Sequence, residues 1–167
     1  MGILHSRDES TKEPTKKVRR THDADSSVKR SAAGALEDNY AVDPKVLGRG
    51  HYGVVRKCVN RATGEKCAVK AIPRAKIHRP EVLEREISIL KNLKHPNIVD
   101  LFHVFEDEET LYLVQESLMG GELFDHIVAR RGLGEREAAG FFAQIGEAVR
   151  VAHALGLAHR DPKLEDV

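Results

Sequence analysis

The run Gly48-Arg49-Gly50-His51-Tyr52-Gly53-Val54-Val55 constrains this chain more than any other stretch. It fits the spacing G-x-G-x-x-G-x-V. Glycines let a backbone take positive φ and come close to an anion, where amide N–H groups supply the donors. Two architectures use such a loop. In one, the glycines open a helix, as in a dinucleotide-binding turn beside a parallel sheet. In the other, they join two strands and cover phosphates from above. Here Val54, Val55 and Val59 follow in a β-rich run. The loop is therefore predicted to join two strands and to serve as a lid over nucleotide phosphates.

The pattern beyond the loop agrees. Residues 40–47, 54–60 and 65–73 read as strands, the last two around the turn Arg61-Ala62-Thr63-Gly64. Residues 80–93 read as a helix, with Pro80 at a first helical position and Val82, Leu83, Ile87 and Leu90 at helical spacing. Residues 99–105 and 110–115 read as two more strands, joined by the acidic turn Asp107-Glu108-Glu109. A short helix follows from residue 121 to about 131, then a long one over 135–155. In the long helix Ala138, Phe141, Phe142, Ile145, Ala148, Val149 and Ala152 form one apolar stripe. Five strands with one helix among them do not make a parallel doubly wound sheet. The expectation is an α+β chain with a mostly antiparallel sheet and one packed helix.

Lys70 lies in the apolar run Cys67-Ala68-Val69-Lys70-Ala71-Ile72. A lysine there must snorkel from an edge or find a partner. Glu86, on the next helix in Arg85-Glu86-Ile87, is the candidate. An ion pair would aim the ammonium at the α- and β-phosphates of a bound nucleotide.

Glycine loop, A-V-K strand and helix glutamate together resemble the small lobe of a eukaryotic-type Ser/Thr protein kinase. The resemblance runs over about residues 40–167, roughly the first half of a domain of ~250 residues. It implies a kinase-like small lobe (39–115), a hinge (116–120) and the first helices of a large lobe (121–167), truncated at the catalytic loop, after a disordered tail (1–38). It also implies ATP and Mg²⁺ as cofactors and protein Ser/Thr as acceptor. Gly48, Gly50 and Gly53 would cover the phosphates, and Leu47, Val55 and Ala68 would sandwich the adenine. Leu90 and Leu101 would join the hydrophobic stack between the lobes. Gln115 would be the gatekeeper, with backbone groups of Glu116 and Leu118 meeting the adenine edge. Gly120-Gly121-Glu122-Leu123-Phe124-Asp125 is similar to the calcium/calmodulin-dependent and calcium-dependent kinase group. There Glu122 would bind ribose or a basic residue upstream in the substrate. The plainer reading of Glu122 is a helix N-terminal acid favoured by the macrodipole.

His159-Arg160-Asp161-Pro162-Lys163-Leu164-Glu165-Asp166-Val167 resembles the catalytic loop H-R-D-L-K-P-E-N. Asp161 would accept the substrate hydroxyl proton and Lys163 would contact the γ-phosphate, which favours Ser/Thr over Tyr. Two departures stand out. Pro162 and Leu164 exchange the family's leucine and proline, and Asp166 replaces its metal-binding asparagine. A carboxylate can still hold Mg²⁺, and it adds negative charge beside the phosphates. Without a D-F-G segment in this sequence, the 167 residues are expected to transfer no phosphate alone. The rival reading is a non-catalytic, pseudokinase-like module that binds nucleotide or a partner.

The formal charge of +1 argues against a nucleic-acid partner. No apolar run approaches the ~18 residues of a membrane span. The only cysteines, Cys58 and Cys67, fall in strand-like stretches. They read as buried thiols of a cytoplasmic protein, with a cross-strand disulfide as the alternative. Met1-Gly2-Ile3-Leu4-His5-Ser6 fits the N-myristoylation pattern, as several calcium-dependent kinases do; an unmodified start is the alternative. One acyl chain holds a membrane only marginally, so Lys16, Lys17, Arg19 and Arg20 would supply the second, electrostatic signal. Gly2→Ala is expected to shift the protein from membrane to soluble fractions on sedimentation. An unchanged distribution would remove the peripheral-membrane reading.

Overall fold

Side chains alternate across a strand, so one strand can serve two cores at once. The computed structural model describes residues 35–50, 53–159 and 161–167, and it shows such an arrangement. The candidate acylation site at Gly2 and the basic cluster 16–20 lie outside the described residues. The strands are β1 (Tyr40–Arg49), β2 (Val54–Asn60), β3 (Lys66–Pro73), β4 (Leu101–Glu106) and β5 (Thr110–Glu116). They form one five-stranded sheet in the order β1-β2-β3-β5-β4, antiparallel throughout. The α+β expectation of an antiparallel sheet with a packed helix holds.

Residues paired across neighbouring strands share a face. On the first face Ala68 stands opposite Gln115, Lys70 opposite Leu113 and Ile72 opposite Leu111. Helix α2 (Pro80–Asn92) covers this face with Ile87 and Leu90. Leu101, Val104, Leu111 and Leu113 complete the cluster from the sheet. Two further helices follow β5: α3 (Leu123–Arg130) and α4 (Glu135–Ala154). Ala148 of α4 enters the first core with no exposed surface, beside Ile145 and Val151. The Asn97 side-chain amide donates to the Gln144 carbonyl at 3.2 Å and ties the α2–β4 connection to α4.

The second face carries Cys58, Cys67, Val69, Phe105 and Val114, all buried. A short helix, α1 (Ala35–Asn39), closes it with Leu36, and Tyr40 adds its ring. This corrects the expected tail boundary: residues 35–38 belong to the fold. The turn is too short to show a helical period, and a lone leucine in Ala-Leu-Glu-Asp gave no stripe to read. The Tyr40 hydroxyl is hydrogen-bonded to His103 Nδ1 at 2.5 Å, and its ring meets Phe105 edge-on.

Turn chemistry accounts for the two tight hairpins. Asn60 Oδ1 accepts from the amides of Ala62 and Thr63, and Gly64 takes the left-handed conformation at φ 71°. Asp107 accepts from the amides of Glu109 and Thr110 and from the Tyr112 hydroxyl. Those bonds, that from Glu109 foremost, hold its carboxyl below the usual carboxylate range.

Two strand boundaries differ from expectation by two residues. β1 runs on to Arg49, because it pairs with β2 up to the loop. β4 begins at Leu101; Ile98 and Val99 are buried but lie outside the ladder. Val82 faces solvent at 44% exposure, leaving Leu83, Ile87 and Leu90 as the packed stripe of α2. On α4, Phe142 is 78% exposed, while Phe141, Ile145 and Val149 are half-buried. The uncovered part of the expected apolar stripe is therefore Phe142 alone among those four.

Cys58 and Cys67 face each other in register and are free thiols. Burial pushes them up to about 12 and about 11 from an ordinary 9.0, and Tyr40 up to about 12 from 10.0. Folding favours the neutral form of each acid. Their contribution is complete below the unfolded values and is lost as pH rises toward the folded ones. Urea unfolding is expected to give constant stability up to about pH 8, then a progressive loss on the order of 4 kcal/mol by about pH 10.5, smaller in Cys58→Ala. Leu36→Ala is expected to cost about 2–4 kcal/mol in the same assay; a change below ~0.5 kcal/mol would show that α1 does not close the second core.

Candidate functional site

The glycine loop connects β1 to β2, strand to strand. Gly48 pairs with Val55 and Arg49 with Val54, and the Gly50 amide donates to the Gly53 carbonyl at 2.9 Å. Residues 51 and 52 at its tip lie outside the described residues. None of the three motif glycines takes a positive φ, so left-handed geometry does not explain them. The reason at Gly53 is close approach: a Cβ there would sit 2.1 Å from the Ala71 carbonyl oxygen. Gly48 and Gly50 have open space where a Cβ would be.

The first sheet face continues beneath this loop. Register puts Val55 opposite Lys70 and Ala68 opposite Gln115, with Ala68 and Lys70 on one face. Val55, Ala68, Lys70 and Gln115 thus line one surface, while Leu47 on β1 is 49% exposed. Lys70 is half-buried. Burial lowers its pKa, and the Asp166 carboxylate acts in the opposite direction.

That partner departs from expectation. Glu86 lies half-buried on α2, but the ion pairs among the described residues do not include one between it and Lys70. The physical reason lies in α2 and in the last residues together. α2 is fixed by Ile87 and Leu90 in the core. The charge that opposes burial of the ammonium comes instead from the 161–167 segment.

That segment is built by hydrogen bonds. Leu164–Asp166 form a 3₁₀ turn, closed by the Asp166 amide to the Lys163 carbonyl at 3.0 Å. The Lys163 amide donates back to Asp166 Oδ2 at 3.1 Å. His159 Nε2 stands 3.8 Å from the same oxygen. The Leu123 amide donates to the Val167 carbonyl at 2.8 Å, and the Val167 side chain packs against the first core. The turn is thereby seated below the sheet face that carries Lys70. Asp161 and Lys163 pair at 3.1 Å and are both exposed, at 75% and 57% of their side chains. Pro162 between them has no amide hydrogen to place.

At the sheet's exit, the Glu116 amide donates to the Asp100 carbonyl at 2.9 Å. Its N–H is therefore engaged within the fold. Leu118 and Met119 are exposed, and Gly121 turns the chain at φ 85°. Glu122 is the N-cap residue of α3 in extended geometry, and its side chain makes no capping bond. Its carboxylate is exposed at the helix N-terminus, which fits an acid favoured by the macrodipole and leaves the group accessible.

The donor set is suited to one kind of cation. Among the described residues no cluster of three or more His, Cys, Asp or Glu could hold a bare metal ion. A magnesium ion needs one or two carboxylates and takes its other ligands from phosphates and water. Asp166 fits that part.

The sequence reading did not mark His159 as a neighbour of Asp166 or Val167 as its anchor. Val167 acts through contacts distant along the chain, with Leu123 and the first core, so no local pattern could have marked it.

The model of the family "protein kinase domain" matches residues 41–167. Calcium-dependent protein kinase 5 of Plasmodium falciparum is 46% identical over 132 residues, covering 79% of this chain and 23% of that protein. Calcium-dependent protein kinase 29 of Arabidopsis thaliana is 42% identical over 126 residues, covering 73% of this chain and 24% of its own. Among solved structures, Rad53 1–466 in complex with AMP-PNP superposes with a TM-score of 0.72 at 34% identity, over 78% of this chain and 34% of that one. The chain thus spans about a quarter to a third of the length of these proteins.

Gly53→Ala is expected to destabilise the fold by about 1–3 kcal/mol, because backbone must shift to admit the methyl. Gly48→Ala and Gly50→Ala are expected to be neutral or to stabilise by up to ~1 kcal/mol. Thermal melting of the three variants reads the difference; equal losses at all three positions would contradict the close-approach account.

Proposed function

Because this chain belongs to the protein kinase domain family, we propose that it binds ATP beneath the β1–β2 loop and forms part of a Ser/Thr kinase that transfers the γ-phosphate to proteins. One observation carries the reading. Lys70 lies half-buried on the sheet face with Val55, Ala68 and Gln115, within the field of the acid at Asp166. A half-desolvated ammonium among apolar side chains suits a polyphosphate at one end and a purine at the other.

In this reading Val55 and Ala68, with Leu47 from the rim, hold the adenine. Gln115 sets the depth of the pocket. The Glu116 carbonyl and the Leu118 amide meet the adenine edge; the Glu116 amide is already given to Asp100. Gly48, Gly50 and Gly53 bring backbone amides over the phosphates, and Lys70 binds them from below. Asp161 accepts the hydroxyl proton of the substrate, and Lys163 neutralises the γ-phosphate beside it. Asp166 holds Mg²⁺, which when bound neutralises phosphate charge. Glu122, exposed and uncapped, faces a ribose hydroxyl or a basic residue of the substrate. The small lobe spans 39–115, preceded by α1; the hinge spans 116–120 and the large lobe begins at 121. Placement at a membrane through Gly2 and the basic cluster belongs to the same proposal, within a cytoplasmic protein.

A second reading, a nucleotide- or partner-binding module without catalysis, is favoured by two observations. Lys70 is not paired with Glu86, and Pro162 follows the proton acceptor.

The test is nucleotide binding. A fluorescent ATP analogue is expected to bind the chain with Mg²⁺ and to be displaced by ATP. Charge-assisted contacts contribute ~1.5–3 kcal/mol, so Lys70→Met should weaken binding roughly ten- to a hundredfold. No saturable binding, or binding indifferent to Lys70→Met, would sink the proposal. Incubated with labelled ATP and a basic peptide, the 167 residues alone are expected to transfer no phosphate.

A further inference from the structure

We infer that the groove between α2 and the edge strand β4 docks this chain's own segment Lys16-Lys17-Val18-Arg19-Arg20, with Val18 in the groove and the cations on its acidic rim.

The groove has a volume of about 310 Å³ and a floor of Ile77, Leu83, Ile87, Val104 and Leu111. Ile87, Val104 and Leu111 are buried members of the first core, and Ile77 and Leu83 pack against them half-buried. An aliphatic group seated there would remove apolar surface from water on both sides of the contact. None of these residues belongs to the proposed ATP surface, so the two readings stand or fall separately. Acids stand on both walls, Glu84 on α2 and Glu106 on β4. Glu108 and Glu109, exposed in the turn that follows, extend the second wall. Arg74 is the one cation among the described lining residues. Its guanidinium is held by Glu106 at 2.7 Å and by the Asp107 carbonyl at 2.9 Å. Lys76 and Arg79 precede α2 but do not line the groove.

The occupant follows from charge and from reach. Such a groove fits an apolar side chain with cations on either side. In residues 1–34 that pattern occurs at Val18; Ile3-Leu4 has no adjacent Lys or Arg, and Val28 has them on one side only. The alkyl stems of Lys17 and Arg19 can lie along the floor while their charged ends reach the walls. The described fold begins at α1, where Leu36 packs with Phe105 and Tyr112. Those two alternate along β4 and β5 with Val104, Glu106 and Leu111. The chain therefore enters the fold on the opposite face of the very strands that line the groove. β4 is an edge strand, so the way round it is short. Residues 21–34 can span up to roughly 45 Å, against roughly 20 Å from one side of a sheet with its packed layers to the other. The segment cannot lie in the groove and on a membrane at once, so docking and the proposed membrane contact are alternative states.

The experiment uses the full 167-residue chain, paired cysteines and a short bis-maleimide cross-linker. The native Cys58 and Cys67 are buried. Leu83→Cys marks the groove, and Val128→Cys, exposed on α3, marks a site outside it. Each is combined with Val18→Cys, Val28→Cys or Ile3→Cys. Thermal melting confirms folding, and Pro80→Cys on the rim replaces Leu83→Cys if that variant does not fold. Val18→Cys should cross-link to Leu83→Cys within one chain at least about tenfold faster than to Val128→Cys, because docking raises the local concentration. Serine at positions 16, 17, 19 and 20 together should bring that preference close to none, and raised salt should weaken it. No preference for Leu83→Cys overturns the inference. So does a larger preference from Val28→Cys or Ile3→Cys, or a preference that survives the four serines. Cross-links between chains, seen as a dimer by mass, would seat a second copy in the groove and overturn it too.

Discussion

Withdrawing a lysine ammonium from water onto the apolar face of a sheet is costly unless an opposite charge meets it. In this chain that cost falls on Lys70, whose pKa burial lowers, and a charge at the other end of the described fold offsets it only in part. Asp166 opposes the effect of burial from a 3₁₀ turn seated beneath the sheet. The turn stays there because Val167 packs into the core and its carbonyl takes the Leu123 amide. Sheet, α3 and the final turn are thus linked through one charge and the hydrophobic contact behind it. The glycine loop is constrained differently, by the Ala71 carbonyl pressed against Gly53.

Much of this was legible from local pattern. The apolar run Cys67–Ile72 and the turn Arg61–Gly64 place β2 and β3. The spacing of Leu83, Ile87 and Leu90 fixes the buried stripe of α2. The valines after the glycines separated a strand-joining loop from a helix-opening one. The features that escaped are those decided by tertiary contact. Nothing local separates Glu86 from Asp166 as the charge acting on Lys70, because both are acids in polar surroundings and the choice depends on how α2 is seated. Leu36 escaped because one leucine in a five-residue helix has no period to reveal. Val82 fits the stripe by spacing, yet faces water because the groove between α2 and β4 takes Leu83 instead. The motif glycines showed where the loop lies but gave the wrong reason for Gly53, which is short of space and not in need of unusual dihedrals.

The two faces of the sheet serve separate purposes. One holds thiols, aromatic rings and Leu36 in a closed apolar layer, where Cys58 and Cys67 stay protonated well past their ordinary range. The other is open along the row of Val55, Lys70, Ala68 and Gln115 and closed where α2 and α4 cover it. A protein that keeps reactive chemistry on a single side can vary that side's polar groups while the opposite layer carries stability. The exchange of asparagine for aspartate at position 166 is a change of that sort: it falls on the open side and leaves the thiol layer untouched.

Ala148 has no exposed surface, and it lies on a helix that enters the chain after β5. Its methyl group is fully enclosed by the first core. The sheet and α4 cannot part there without wetting Ile98, Leu101 and Leu90 together, whereas the rim at Leu47 and Met119 already stands in water. Separating α4 from the sheet would therefore cost that shared apolar burial, whereas displacing the exposed rim would cost little of it.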